Sequence, residues 1–523
     1  MPRGEHAAGS LFARIAAAPD TGRAAVVGPD GALTYGELLD RAAQLASRLG
    51  TAGGPVLLYG HKEPAMIVGV VASLRAGRTY VPVDRSTPPA RIARMLAAAR
   101  PDHAVLACEP SSGLVEELVA RDIDTVPLDP LASNVAAASG APNPPAPEVG
   151  EAPAYVVFTS GTTGDPKGVP VPRRALRHFA DWLLATHPFV PGGETFLNQA
   201  PLGFDLSVMD LFGALLTGGT WFTVGRAELD DPRRLFRRLD GSPLTVWVST
   251  PSFARFCLAE GRFRQTMMPE LRRFLFCGET LPVGVAQELL ARFPRAEVWN
   301  MYGPTEATVA VTSVQITDAM VATGRPLTVG HPAPGIEVWI ADPDDPRRRL
   351  PDGACGEIVI SGPQIADPYL RPSDAGEPAD RSSPFFTLPE GRRAYRTGDL
   401  GSVDPADGSL ACAGRLDHQI KLHGYRLELE EIEARLRAVP GVADGAVLAV
   451  DRGGQPDHLV AVVVVDNGPA LPADGRPLTQ LVRAALAEWL PEYALPRLVR
   501  RVPALPLTAN GKVDRRALRE TLG

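Results

Sequence analysis

Tyr155–Gly168 reads YVVFTSGTTGDPKG. The run Tyr155–Phe158 has no polar break, the pattern of a strand buried on both faces. It feeds a loop of Thr159, Ser160, Gly161, Thr162, Thr163 and Gly164, with Lys167 following. Glycine lets backbone N–H groups approach phosphate oxygens, hydroxyls add donors and the lysine adds charge. The spacing is neither GxxxxGK[ST] nor GxGxxG. A Ser/Thr/Gly loop alone also reads as a flexible surface turn; the complete strand–loop–lysine string favours a phosphate cradle.

Working outward, further β-rich runs recur at 55–60 (PVLLYG), 245–250 (TVWVST), 274–279 (FLFCGE) and 357–362 (EIVISG), with amphipathic stretches at Ala90–Ala99 and Val283–Phe293. Strands alternating with helices imply an α/β fold with at least partly parallel sheets. Residues 132–153 are rich in Ala, Pro, Gly and Asn and read as a linker between subdomains. A second boundary falls near 415–424. Beyond it Leu429, Ile432, Leu436 and Val439 share one helical face that Pro440 closes, followed by the strand LVAVVVVD and the helix LTQLVRAALAEWL. The expected division is therefore a large α/β core of several subdomains over 1–416 and a small α+β domain over 417–523.

The chain has 523 residues, 45% of them hydrophobic and 22% charged, which is ample for a globular core. A net charge of −7 argues against a mainly electrostatic nucleic-acid partner. The five cysteines are widely spaced and lack any CxxC pair, so a reducing cytoplasm fits better than a disulfide framework or zinc site. Arg14 interrupts the apolar N-terminal stretch, a poor signal peptide, and no apolar run approaches membrane-spanning length.

The phosphate string resembles that of the adenylate-forming superfamily, which holds acyl-CoA synthetases, luciferases and the adenylation domains of nonribosomal peptide synthetases. Other strings match in order: LTYGEL (33–38), LRAGRTYVPVD (74–84), FDLS (204–207), NMYGPTEATVA (300–310), YRTGDL (395–400), GRLDHQIKLHGYRLELEEIE (414–433) and NGKVD (510–514). The resemblance implies a reaction in which a carboxylate attacks the α-phosphorus of ATP, releasing pyrophosphate and leaving an acyl-adenylate. It also implies that the C-terminal domain is mobile, swinging about Asp417.

By that resemblance Thr159 and the phosphate loop hold phosphates, and the nucleotide rests on Asn300, Met301, Tyr302, Gly303, Pro304 and Thr305, with Tyr302 stacked on adenine. Glu306 ligates Mg²⁺, Asp399 accepts the ribose hydroxyls beside Arg415, and Lys512 reaches the α-phosphate. Alone, Asp399 reads as a turn or cap aspartate, Asp417 as a loop aspartate and Lys512 as a solvated charge. Asp205 matches the aspartate that pairs with a substrate ammonium in the amino-acid-activating branch. Asp205 or Ser207 also reads as the N-cap of the following helix, with Ser207 capping and Asp205 binding as the combined reading. The remaining pocket positions, Leu206, Met209, Val248, Leu275, Cys277, Met301, Val309 and Ala310, carry no charge and suit a small apolar substituent.

FLNQAPLGFDLSVMDL, VWVSTPSFARFCL, FLFCGETLP and YGPTEATVAVT resemble the D-alanine–D-alanyl carrier protein ligases. There Cys277 crowds the side-chain site; by itself it is equally a buried thiol. Met301 stands where that family has a small threonine, and Pro368 alters its GYL turn. The expected activity is ATP-dependent loading of a small amino acid, D- or L-alanine first, onto a carrier protein supplied in trans, since no carrier sequence follows NGKVDRRALRETLG. The alternatives are another small or β-amino acid, an acyl-CoA or aryl-acid ligase, and a catalytically silent nucleotide-binding module. The Ala/Arg/Pro-rich composition points to a GC-rich genome and natural-product synthesis. Arg426, Arg435, Arg437, Arg515 and Arg516 are candidate contacts for an acidic carrier.

Overall fold

The computed structural model describes residues 9–17, 20–128, 145–146, 150–161, 165–372, 383–452, 455–465, 478–507 and 513–522. Most of the 132–153 linker, Thr162, Thr163, Gly164 and Lys512 lie outside them. The apolar runs become strands nearly where the sequence puts them: Val56–Gly60, Pro153–Thr159, Val246–Ser249, Arg273–Phe276 and Gly356–Ser361. The first four join parallel sheets. Gly356–Ser361 instead sits in an antiparallel sheet.

Two large sheets carry the core. In one, six parallel strands (Glu297–Tyr302, Arg273–Phe276, Val246–Ser249, Thr195–Asn198, Thr220–Thr223 and Ala24–Gly28) lie side by side, flanked by antiparallel edges. In the other, Asp124–Pro127, His103–Leu106, Val56–Gly60, Tyr80–Asp84 and Pro153–Thr159 are parallel, and Lys167–Pro172 returns antiparallel. The helix Pro64–Arg75 touches strands of both sheets. Its sequence PAMIVGVVASLR is apolar on every side and buried along all but its last residue, as a helix packed between two layers must be. A third sheet, antiparallel, is built from segments between Glu337 and Arg415.

The C-terminal part has its own core. Leu422, Leu427, Ile432, Leu436, Val447 and Val482 belong to a hydrophobic cluster separate from those of the large sheets. It is closed by the helix Leu429–Arg437, the pair Val442–Arg452/Gln455–Val465 and the parallel strand Leu498–Arg501. A hairpin, Gln419–Leu422 with Tyr425–Glu428, reaches from this unit towards the large sheets.

Because that core is separate, damage to it stays local. Leu436→Ala removes a fully buried side chain and is expected to cost about 2–5 kcal/mol. Hydrogen exchange should then accelerate across Leu429–Val465 and leave Val56–Gly60 as slow as in the wild type.

Candidate active site

In open parallel sheets, ligands bind beyond the carboxyl ends of the strands. Both large sheets point those ends at one cavity: Thr159 closes one strand, Cys277 follows Arg273–Phe276, and Gly303 follows Glu297–Tyr302. Ser160, Asp205, Leu206, Pro304, Thr305 and Val309 also line this cavity, as do Asp399 and Arg415 from the third sheet. Leu206, Met209, Val248, Leu275, Cys277, Met301, Val309 and Ala310 share one hydrophobic cluster. Of these, Leu206, Cys277 and Val309 line the cavity, and Met209, Val248, Leu275 and Met301 are buried behind them.

Asp205 stands at the N-cap position of the helix Leu206–Thr217, yet its side chain makes no capping bond. Ser207 does not cap either: it lies inside the helix and its hydroxyl donates to the Phe204 carbonyl at 2.7 Å. The capping assignment is thereby corrected, and the Asp205 carboxylate is left for the cavity. Burial pushes its pKa up to about 6, although the Thr305 hydroxyl donates to it. Burial likewise raises the Cys277 thiol to about 12, and Cys277 Sγ donates to the Val309 carbonyl at 3.4 Å.

Asp399 and Arg415 are direct cross-strand partners. One Asp399 oxygen accepts from Arg415 Nη1 at 2.5 Å and the other from the Tyr302 hydroxyl at 2.7 Å. Arg415 also grips Asp417 with a two-pronged contact, Nε and Nη2 at 2.6 and 2.7 Å. Asn300 Nδ2 donates to the Thr328 carbonyl at 2.8 Å, leaving its oxygen uncommitted to that bond.

Glu306 is the electrostatic centre. It lies fully buried in the turn Thr305–Ala307. Its Oε2 accepts from Arg426 Nη1 at 2.7 Å, and its Oε1 accepts from the Tyr369 hydroxyl. Burial opposes its charge, but Arg426 and then Lys167 override that and hold its pKa down at about 2. Burial, with Arg426 close by, lowers the Lys167 pKa. Lys167 Nζ stands 3.5 Å from Glu428 and 4.8 Å from the centre of the Tyr369 ring.

Arg426 and Glu428 belong to the C-terminal hairpin, which lies on Ser160. Ser160 Oγ donates to the Arg426 carbonyl and accepts from the Glu428 N–H, both at 3.0 Å. Around this, Gly424 N–H donates to Glu279 at 2.6 Å, and Arg91 pairs with the buried Glu431. Tyr425 stacks on Tyr493 at 3.7 Å and meets Phe204 edge-on at 4.9 Å. The five C-terminal arginines are mostly engaged within the chain: Arg426 on Glu306, Arg435 on Asp165 and over Trp489, Arg515 on Glu433.

The residues fit a nucleotide. The Thr159 hydroxyl is buried without a hydrogen-bond partner among the described residues. Glu306 offers a single carboxylate amid cations, and no cluster of three metal-ligating side chains exists among the described residues. That suits Mg²⁺, which is commonly held by one or two carboxylates with substrate phosphates completing its shell.

The AMP-binding enzyme family matches residues 12–370, and the AMP-binding enzyme C-terminal domain matches 431–512. This chain belongs to the AMP-binding enzyme family. A D-alanine–D-alanyl carrier protein ligase of Bacillus velezensis is 43% identical over 94% of this chain and 95% of the relative. One from Bacillus licheniformis is 40% identical over 96% of each. Among solved structures, an NRPS protein containing adenylation and PCP domains, bound to a vinylsulfonamide inhibitor, matches with a TM-score of 0.79 at 29% identity. The match covers 98% of this chain and 84% of that one. A Vibrio cholerae adenylation domain, 24% identical over 100% of this chain and 98% of its own, shares the fold with a TM-score of 0.78.

In this AMP-binding enzyme, sequence reasoning missed Tyr369 and the inward use of Arg426. Tyr369 occupies the tyrosine of the altered GYL turn, a signal within reach; the Arg426–Glu306 pair spans 120 positions, and no local pattern marks it. Among the described residues no helix is long and apolar enough to cross a membrane.

The depressed Glu306 pKa has a definite sign. A carboxyl held at about 2 when folded, against an ordinary 4.5, stabilises the fold above pH 4.5. That contribution drains away as pH falls towards 2. Urea melts should therefore show the wild type losing stability more steeply across this window than Glu306→Gln.

Proposed function

We propose that the chain activates D-alanine with ATP as the alanyl-adenylate and transfers it to the thiol of a carrier protein. The Asp205 carboxylate carries this reading: it is buried at the cavity, free of a capping bond, beside a wall of Leu206, Cys277 and Val309. A buried anion next to a small apolar space complements an ammonium with a methyl-sized neighbour. Relatives at 40–43% identity that are named D-alanine–D-alanyl carrier protein ligases support the same choice.

With its ammonium on Asp205, the amino acid presents its carboxylate to the α-phosphorus of ATP. An oxygen–phosphorus bond forms, the bond to the β-phosphate bridge breaks, and pyrophosphate leaves. Thr159, the loop Ser160–Gly164 and Lys167 hold the phosphates, and Lys512 is assigned to the α-phosphate and the attacking carboxylate. Glu306 would hold Mg²⁺, which would supply charge neutralisation to the phosphates. Asn300 and the segment Met301–Thr305 face the base, with Tyr302 along it, while Asp399 and Arg415 face the ribose. The carrier thiol then attacks the carbonyl carbon, the carbon–sulfur bond forms, and AMP departs with the electron pair of the broken bond.

The chain divides into 1–416 and 417–523, hinged at Asp417. The described pose fits a step without ATP, because the hairpin occupies Ser160 and Arg426 engages Glu306. Nucleotide entry requires that hairpin to withdraw.

Amino-acid-dependent ATP–pyrophosphate exchange tests the assignment. D-Alanine should support the fastest exchange, with L-alanine and 2-aminobutyrate slower and D-lactate silent. Asp205 protonates near pH 6 in the free enzyme, so kcat/KM for D-alanine should fall as pH drops through 6, and Asp205→Asn should lack that decline. Exchange driven by fatty or aryl acids but not by alanine would overturn the reading.

A further inference from the structure

The wall of the cavity that carries Val309 is built on backbone that side-chain residues rarely adopt. Thr308 and Val309 both have positive φ, +58° and +66°. The Ala310 N–H returns to the Thr308 carbonyl at 2.8 Å, closing a γ-turn centred on Val309. A γ-turn of this hand is strained, and a β-branched residue at its centre is an outlier. Such a conformation persists only where its surroundings over-determine it.

One side chain does most of that. Gln364 is fully buried, and its amide Nε2 donates towards three carbonyls of the turn: Ala310 at 2.8 Å, Ala307 at 3.2 Å and Thr308 at 3.3 Å. Its backbone carbonyl accepts from the Thr308 hydroxyl at 2.8 Å. The three carbonyls fix which end of the amide faces the turn, so Oε1 faces His178 Nδ1, 3.0 Å away. His178 is braced in turn, its Nε2 lying 2.9 Å from the Pro334 carbonyl. Behind the turn, Gly303 leaves no slack: a Cβ there would lie 2.6 Å from Ala310 Cα and 2.9 Å from the Val309 carbonyl oxygen.

We infer that Gln364 is a positioning residue that sets substrate size discrimination without touching the substrate. By gathering the three carbonyls it keeps Val309 at positive φ. That holds the Val309 side chain in the cavity and its carbonyl under Cys277 Sγ. Without the amide, the Ala310 N–H bond to the Thr308 carbonyl is left to hold the strained turn, and the turn relaxes to negative φ, carrying the valine off its position and loosening the wall opposite Asp205. The inference rests on the functional reading above, since it assigns Val309 to the amino acid side-chain site.

The test is pyrophosphate exchange with D-alanine and D-2-aminobutyrate in the wild type, Gln364→Leu and His178→Ala. Leucine keeps the volume of Gln364 and removes both amide ends. The kcat/KM preference for D-alanine should fall about tenfold in Gln364→Leu through a higher KM for D-alanine, with the KM for ATP unchanged. His178→Ala alters only the outer brace of the amide, tolerates the loss because it is partly exposed, and should move the preference the same way by two- to threefold. A general loss of structural integrity would lower all rates together and leave the ratio alone. Should Gln364→Leu fail to fold, His178→Ala decides. Unchanged preference in every variant that folds overturns the inference alone. A wild type without alanine-dependent exchange overturns the functional reading and the inference with it.

Discussion

Everything at the centre of this enzyme is arranged around the buried carboxylate of Glu306. A lone anion in that position would be too costly to keep charged. Arg426, Lys167 and the Tyr369 hydroxyl make it tolerable, and they come from three separate parts of the chain. The strand Lys167–Pro172 is fixed by the parallel sheet beside it, Tyr369 by the segment that pairs with Gly168, and Arg426 by a hairpin of the C-terminal unit. Satisfying one charge therefore joins the two cores.

The same arrangement makes the docked pose conditional. In the proposed reaction a metal ion with its phosphates would answer the same electrostatic need at Glu306 that the Arg426 guanidinium answers here, so the two would compete for it. Ser160, which bonds both Arg426 and Glu428 through the hairpin backbone, faces the same conflict: a hydroxyl proposed to hold phosphates here holds a strand. Arg91–Glu431 and the Tyr425–Tyr493 stack lie outside that conflict and stabilise the pose by ordinary burial. In the proposed cycle Glu306 is open to Arg426 before ATP enters and again once pyrophosphate has left.

Much of the fold was legible because parallel strands buried on both faces announce themselves as short apolar runs, as at Val56–Gly60 and Tyr155–Phe158. Family membership was legible because the chemistry needs fixed residue types at fixed spacings, and the matching strings stand in order from LTYGEL to NGKVD. The layer to which EIVISG belongs was less clear, since an apolar run does not reveal the direction of its neighbours. Ser207 looked like a helix cap because its type is right; the helix simply begins at Leu206, two residues before a Ser207 cap would start it. Arg426 looked like a surface charge because its partner lies 120 positions away. Gln364 carried no signal at all: a glutamine after Gly-Pro means nothing until a strained turn is found against its amide.

The competition for Glu306 can be read from the Mg²⁺ dependence of D-alanine-dependent pyrophosphate exchange at saturating ATP, in the wild type and in Arg426→Gln. Removing the guanidinium leaves Glu306 with one fewer competitor for the cation, so the variant should reach half its maximal exchange at a lower Mg²⁺ concentration than the wild type. Half-saturation at the wild-type concentration, or exchange abolished at every Mg²⁺ concentration, would contradict the account.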